Sequence, residues 1–329
     1  LNSHPQIGQA TKYSWSSHSV TSRNGELMAC NPVSHLTPAA QAASLQPDEE
    51  RIEYLRADRW IGYTRARSTL QRLEELFNWP SKQRMPNLLI IGSTNNGKSM
   101  IIQKFKRDHL WVAVREHADH ELIPVVVVQT PSEPSVSRFY AMLLATLGAP
   151  MHPRARIAEL EQVTLRLLKS VQAKILVIDE LHNVLAGATD VRKEFLNLLR
   201  FLGNELRIPI VGVGTKEAYL AVRSDDQLEN RFEPLLLPIW EEGDELLSLL
   251  ASFSAVLPLK RVSDIANQAT ARYILSRTEG TIGEIAQLLT AAAIVAIRSG
   301  EESINQRTLG QAAYQSPTER RQTFERALL

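Results

Sequence analysis

One cysteine, Cys30, stands in 329 residues, which excludes an intrachain disulfide and fits a reducing cytosol. No apolar run approaches the ~20 residues that span a bilayer, and the N-terminal stretch lacks the apolar core of a signal peptide. A cytoplasmic protein with no membrane partner is therefore expected. The chain opens on Leu1, so the natural start is read as missing or recoded. Net charge is scarce as well: 37 Lys and Arg stand against 36 Asp and Glu. A field that weak cannot steer a polyanion, so any such partner has to be met by local patches. What remains, 44% hydrophobic and 22% charged residues, is an ordinary globular composition for one large or two modest domains.

The most informative stretch is Asn87-Leu-Leu-Ile-Ile-Gly-Ser-Thr-Asn-Asn-Gly-Lys-Ser99. An apolar strand, Leu88 to Ile91, runs into Gly92-x-x-x-x-Gly97-Lys98-Ser99, and a helical pattern (Met100, Ile101, Ile102, Phe105) follows. This is the P-loop pattern in its required context. Gly92 and Gly97 let the backbone curl with its N–H groups inward, and the following helix adds the positive end of its dipole. Gly92, Ser93, Thr94, Asn95, Asn96, Gly97, Lys98 and Ser99 are thus assigned to a nucleotide, with Lys98 on the β/γ-phosphates and Ser99 on Mg²⁺. The alternative is a glycine-rich turn that matches by chance, which the flanking strand and helix argue against.

A second element, Lys174-Ile-Leu-Val-Ile-Asp-Glu180, ends four apolar residues in two carboxylates, at the strand end where α/β ligands sit. With a P-loop upstream this is the Walker B arrangement. Asp179 is assigned to Mg²⁺ with Ser99, and Glu180 to the water that attacks ATP. A third strand, Ile208 to Val213, ends in Gly214-Thr215. Thr215 either touches the γ-phosphate or the water, or serves as a helix N-cap. Trp60 to Tyr63 are a candidate adenine wall, although plain core is the commoner fate of such residues. His109, His117 and His120 read as surface histidines, because a metal site needs a carboxylate in fixed geometry.

The remaining pattern gives the organisation. Residues 1–46 are rich in Ser, Gln, Asn, Thr and Pro and are expected to be a disordered tail. Residues 47–238 form a nucleotide-binding core with an N-terminal helical extension, in which Thr64 is expected to cap a helix. Its strands and helices alternate, so the fold class is α/β with a parallel sheet in three layers. Residues 239–314 carry only helical periodicity and form a small all-α domain; 315–329 are a polar C-terminal tail.

This order of elements describes an AAA+ ATPase with a helical lid, and the wording resembles the TniB/TnsC group of transposition ATPases. The resemblance rests on Arg84 to Ser99, Asp58-Arg-Trp-Ile-Gly-Tyr63, Ile178-Asp-Glu-Leu-His-Asn183, Gly212 to Ala218, Gln227-Leu-Glu-Asn-Arg-Phe232 and Thr278-Glu-Gly-Thr-Ile-Gly283. It covers roughly residues 48 to 314. It implies a homo-oligomer that assembles with ATP and Mg²⁺ on duplex DNA, contacts a TniQ-type targeting protein, recruits the transposase and disassembles on hydrolysis. It also implies that Ser137, Arg138, Arg154 and Arg156 face DNA, although each is equally readable as part of a solvated basic loop. Arg231 is the candidate arginine finger, with Arg223 as its competitor and an ion pair to Asp225, Asp226 or Glu229 as the plainer alternative. One departure stands out: Gly280-Thr-Ile-Gly-Glu284 has no arginine where many AAA+ lids carry one. A helicase-loader-like ATPase or a signalling switch shares the same core and differs in its partner.

Overall fold

The computed structural model describes residues 33–116, 122–150 and 155–328, without the side chains of 111–116. Three helices come first: α1 (Pro38–Ser44), α2 (Asp48–Arg56) and α3 (Thr64–Phe77). Then follow β1 (Asn87–Gly92), α4 (Lys98–Glu116), β2 (Val125–Gln129), α5 (Val136–Thr146), α6 (Ile157–Ser170) and β3 (Ile175–Asp179). After a 3₁₀ turn at Leu181–Ala186 come α7 (Thr189–Leu206), β4 (Ile210–Gly214), α8 (Lys216–Arg223), α9 (Asp226–Glu229) and β5 (Phe232–Leu237). Five helices complete the chain: α10 (Asp244–Val256), α11 (Gln268–Thr278), α12 (Ile282–Arg298), α13 (Gln306–Gln311) and α14 (Pro317–Ala327).

The five strands form one parallel sheet in the order β2-β3-β4-β1-β5. Successive side chains of a strand point to opposite faces, and β1 uses both. Leu88 and Ile90 enter a core with Ile101, Ile102 and Phe105 of α4 and Leu73 and Leu76 of α3. Leu89 and Ile91 enter the other core, with Phe139, Tyr140, Phe195 and Leu199. That two-sided burial is why the strands read as unbroken apolar runs. Pro234 is tolerated in β5 because that strand lies at the sheet edge. The expected three-layer parallel sheet followed by a helical region is the fold observed.

Three local expectations need correction. The predicted disordered tail overlaps ordered chain: α1 lies within it, Val33, Leu36 and Ala40 bury together, and the Thr37 N–H donates to the Ala255 carbonyl at 2.8 Å. An Ala-rich segment too short to be stable alone is held by this docking on α10, a contact local composition does not reveal. Residues 1–32 of that tail lie outside the described residues. Thr64 does not cap α3; it is the first helical residue, Tyr63 is the N-cap, and no side chain caps the end. His109 is no surface histidine, since its ring stacks on Phe77 and Phe105 with centroids 4.1 and 4.4 Å away. His117 and His120 lie outside the described residues.

The N-terminal helices are bolted to the helical region by Arg51, whose side chain is fully buried. It donates to Asp48 Oδ1 (3.0 Å), to the Pro258 carbonyl (2.8 and 3.2 Å) and bidentately to Glu302. Burial, the largest single influence, would push the Glu302 carboxyl up, yet the hydrogen bonds from Arg51 and the Lys260 N–H together with both positive charges outweigh it and hold Glu302 below its ordinary value of 4.5. Arg51→Ala takes the bidentate partner from the half-buried Glu302 carboxylate and leaves it only Lys260, at 3.7 Å, so a loss of about 1.5–3 kcal/mol is expected, measured as a lower urea midpoint at unchanged slope. A depressed carboxylate stabilises the fold above the ordinary glutamate value, and that contribution is lost as pH falls through the depressed one. The gap between wild type and Arg51→Ala is therefore expected to narrow below pH 4.5.

Candidate functional site

The phosphate loop sits between the C-terminal end of β1 and the start of α4. Asn95 and Gly97 both have positive φ, 59° and 80°. At Gly97 a side chain would also press on Ile282 and the Tyr63 hydroxyl, 3.2 Å from an added Cβ. The side chains of the two asparagines brace the loop from outside. Asn96 donates to the carbonyls of Leu237 (2.8 Å) and Pro238 (3.1 Å), and Asn95 donates to Glu284 of α12 (3.1 Å). Lys98 is buried, and its ammonium donates to the carbonyls of Gly92 (2.8 Å) and Ser93 (2.7 Å). Burial lowers its pKa, opposed by the charges of Glu180 and Asp179.

Two elements distant in sequence meet here. The Ser99 hydroxyl donates to Asp179 Oδ2 at 3.1 Å, across the space between α4 and β3. A hydroxyl and a carboxylate side by side are hard oxygen donors of the kind Mg²⁺ takes alongside phosphate. The residues present therefore fit a magnesium–nucleotide complex. Glu180 follows in the left-handed conformation (φ 56°, ψ 35°), and its side chain is 41% exposed. Its carboxylate lies 3.1 Å from His182 Nε2, while His182 Nδ1 is buried without a hydrogen-bond partner in the protein. Thr215 occupies the N-cap position of α8 but does not cap with its side chain; its hydroxyl donates to the Glu217 carboxylate. That bond, and after it a hydrogen bond from its own backbone N–H, hold Glu217 below its ordinary value of 4.5.

Glu180, His182, Thr215 and the loop residues from Thr94 to Ser99 line one cavity of about 320 Å³. Its apolar wall is Trp60, Ile61 and Tyr63 on one side and Ile282 and Ala286 of α12 on the other. The volume and the apolar-plus-phosphate lining suit a purine nucleotide. Burial raises the Tyr63 phenol to about 12, and its ring meets Trp240 edge-on at 5.3 Å. Arg59, His182, Phe253, Ile282, Gly283 and Ala286 line the cavity as well, and no sequence motif assigns them a role there. Arg59, in the same segment as Trp60, donates to the carbonyls of Tyr54 and Leu55, and its Nε is buried without a partner. His182 was quoted only as part of a family motif, although its position two residues past Glu180 was a usable signal. Phe253 comes from the helical region, and nothing local marks it.

Arg231 is not among the residues lining this cavity. It lies at the opposite end of the sheet, where its carbonyl accepts from the Asn87 N–H (3.0 Å) and its guanidinium donates to Asn204 Oδ1 (2.8 Å). Glu229 is taken by Arg223 at 3.1 Å, and Asp225 pairs with Arg200 at 3.7 Å. Among the described residues no carboxylate pairs with Arg231, so the ion-pair alternative fails. Arg231 instead lines a separate open recess with Lys82 and Arg84.

Ser137 and Arg138 form the first turn of α5, with Arg138 exposed and its N–H capped by Ser135. Arg156 is the N-cap of α6 and is also exposed. Tyr140 donates to Glu161 (3.0 Å), so both residues flank one α5–α6 contact. Arg154 lies outside the described residues.

A P-loop after the interior strand β1, Asp-Glu at the end of its second neighbour β3 and this strand order, with a helical region packed over the loop, define an AAA+ fold. A family model described as "Bacterial TniB protein" matches residues 51–242, more than half of the chain. The chain belongs to the TniB family. Among solved structures it is similar to the ORC2 protein of Aeropyrum pernix in its ADPNP–ADP complexes (17% identical, 79% of this chain and 71% of that one, TM-score 0.55). It is also similar to Cdc6p from Pyrobaculum aerophilum (14% identical, 80% and 71% covered, TM-score 0.52). A third similar structure is ORC1 of Aeropyrum pernix in complex with DNA (14% identical, 79% and 68% covered, TM-score 0.51). At such identities the likeness is one of fold. No curated protein matches the sequence. Among the described residues no single helix is long and apolar enough to cross a membrane.

Proposed function

We propose that this protein is an ATP-hydrolysing regulator of DNA transposition, which assembles as a homo-oligomer with ATP on duplex DNA and links a TniQ-type targeting protein to the transposase. The observation that carries the ATPase reading is the Ser99–Asp179 bond, with Lys98 and Glu180 bordering the same cavity. In this reading residues 47–238 bind the nucleotide and 239–314 act as its lid. The backbone of Gly92 to Gly97, with Ser93 and Thr94 at its exposed edge, cradles the phosphates; Lys98 contributes the mobile cation. Ser99 and Asp179 hold Mg²⁺, which when bound offsets charge on the phosphate oxygens. Glu180 takes the proton of the attacking water, and Thr215 orients that water. Hydrolysis then disassembles the oligomer. Membership of the TniB family supports the transposition role and is consistent with a cytoplasmic site of action.

DNA binding is assigned to Ser137, Arg138, Arg154 and Arg156, through phosphates and largely without sequence preference. The exposure of Arg138 and Arg156 supports it. The test is ATP-dependent assembly on duplex DNA, followed by electron microscopy and by titration at several salt concentrations. Wild type is expected to form ordered oligomers only with both ATP and duplex. Arg138→Ala/Arg156→Ala is expected to weaken binding equally across sequences and flatten the salt slope by about one to two units. Assembly that ignores duplex DNA would instead support a signalling switch, and an unchanged slope removes these two residues from the interface.

A further inference from the structure

The lid segment Gly280–Glu284 has no arginine, and the structure places a carboxylate against the phosphate loop instead. Glu284, in the first turn of α12, is only 5% exposed. Its Oε1 accepts from Asn95 of the loop (3.1 Å) and from Arg320 of α14 (2.7 Å), and its Oε2 accepts from the Tyr314 hydroxyl (2.8 Å). The next residue back fixes the contact further. The Gly283 N–H donates to the Asn95 carbonyl at 3.0 Å, and an added Cβ at 283 would fall 1.8 Å from Asn95 Oδ1. One unbroken chain of hydrogen bonds thus joins the phosphate loop, the lid and the C-terminal helix.

That helix is held in an unusual way. No residue of α14 is buried. It is attached by the Thr318 N–H to Glu279 (3.0 Å) and by Arg320, which also reaches Gln287 (3.5 Å). Polar bonds alone dock it, and such contacts are readily exchanged. The other cation nearby, Arg277, donates to the Tyr273 hydroxyl and the Tyr314 carbonyl (both 3.1 Å) and stacks near the Tyr314 ring; it does not pair with Glu284. Burial, and then the bond to Glu284, raises the Tyr314 phenol. Arg320 is therefore the sole cation among the described residues that neutralises Glu284. An uncompensated carboxylate beside a loop that binds polyphosphate would repel the ligand and move away from Asn95, taking the lid with it.

We infer that Arg320 is a positioning residue for nucleotide binding: by neutralising Glu284 it lets the lid rest on Asn95, so that docking of the C-terminal helix and occupancy of the cavity are coupled. The inference rests on the reading of that cavity as an ATP site. By linkage the coupling is reciprocal, so nucleotide tightens α14 as α14 tightens nucleotide. The polar C-terminal tail is in this way a sensor of the nucleotide site.

The experiment uses the full chain, with ATP affinity by titration, KM and kcat for hydrolysis, and amide hydrogen exchange over residues 316–327 with and without Mg-ATP. Arg320→Gln is expected to raise the ATP Kd and KM roughly 5- to 50-fold while kcat at saturation stays near wild type. Arg326→Gln, on the same helix, is expected to change neither. Adding Glu284→Gln to Arg320→Gln is expected to restore most of the affinity, because no buried charge then needs compensation. Mg-ATP is expected to slow exchange across α14 in wild type and not in Arg320→Gln. An unchanged KM in Arg320→Gln, no rescue by Glu284→Gln, or exchange in α14 that ignores ATP in wild type each overturns the inference. Should Arg320→Gln fail to fold, Glu284→Gln alone must uncouple α14 exchange from ATP, and retained coupling overturns it equally. Failure of wild type to bind ATP is a different outcome, which sinks the ATPase reading itself.

Discussion

Glu180→Gln is expected to bind ATP about as tightly as wild type while hydrolysis falls by roughly 10²–10⁴-fold, the usual range for a lost general base. Glutamine keeps the length and shape of the side chain, and at 41% exposure the site tolerates it without an unpaired buried charge. What disappears is the ability to take a proton. The backbone argues the same way, because Glu180 is held in a left-handed conformation that a non-glycine residue adopts at some cost. Lys98→Ala is the companion variant. It removes the one mobile cation at the loop, so ATP binding itself is expected to be lost. Single-turnover hydrolysis and filter binding on both variants separate the two steps. Normal turnover by Glu180→Gln would falsify its assignment, and normal ATP binding by Lys98→Ala would do the same for the phosphate loop.

The second large effect belongs to Arg231. It stands at the far end of the sheet from its own cavity, without a carboxylate partner among the described residues, and it lines an open basic recess with Lys82 and Arg84. A guanidinium so placed can act only on a nucleotide brought by another copy of the chain. Supplied in trans to a γ-phosphate, such a group is worth ~10³–10⁵ in rate, so Arg231→Ala is expected to bind ATP and scarcely hydrolyse it. Mixing Arg231→Ala with Lys98→Ala is the sharper measurement. One protein keeps an intact pocket and the other an intact arginine, so a mixed interface holds one complete site. Recovered activity that depends on DNA and on the mixing ratio is the expected result. Co-assembly on DNA with no recovery would show that the arginine does not act between subunits. Arg223, which pairs with Glu229 and stacks on Tyr219, is the control and is expected to matter far less.

The candidate site was legible wherever its chemistry is contiguous. Gly92 to Ser99 carry their own geometry, because the loop, the helix start and the lysine lie within eight residues and need no distant partner to be recognised. Lys174 to Glu180 were legible for a related reason: a strand buried on both faces has no polar residue until its end, so the two carboxylates stand out. Thr215 was half legible, its N-cap position correct and its side-chain partner Glu217 not foreseen. Asn95 and Asn96 line the cavity with the rest of the loop, and their side chains also reach Glu284, Leu237 and Pro238, partners that no local pattern shows. The short docked helix α1 was misread because its stability lies in what it touches on α10, not in its composition.

By itself, the sequence determined the parallel sheet, the phosphate loop and the pair of carboxylates, since hydrophobic period and adjacent residues encode these within a few turns of chain. Only the tertiary structure decided which residues wall the cavity, that Arg231 stands away from it, that Arg51 and Glu302 join across 251 positions, and that Glu284 is shared by Asn95 and Arg320. The physical reason is that a buried charge is tolerable only where the fold delivers its partners. Those partners come from helices far apart in the chain, so no local pattern announces them.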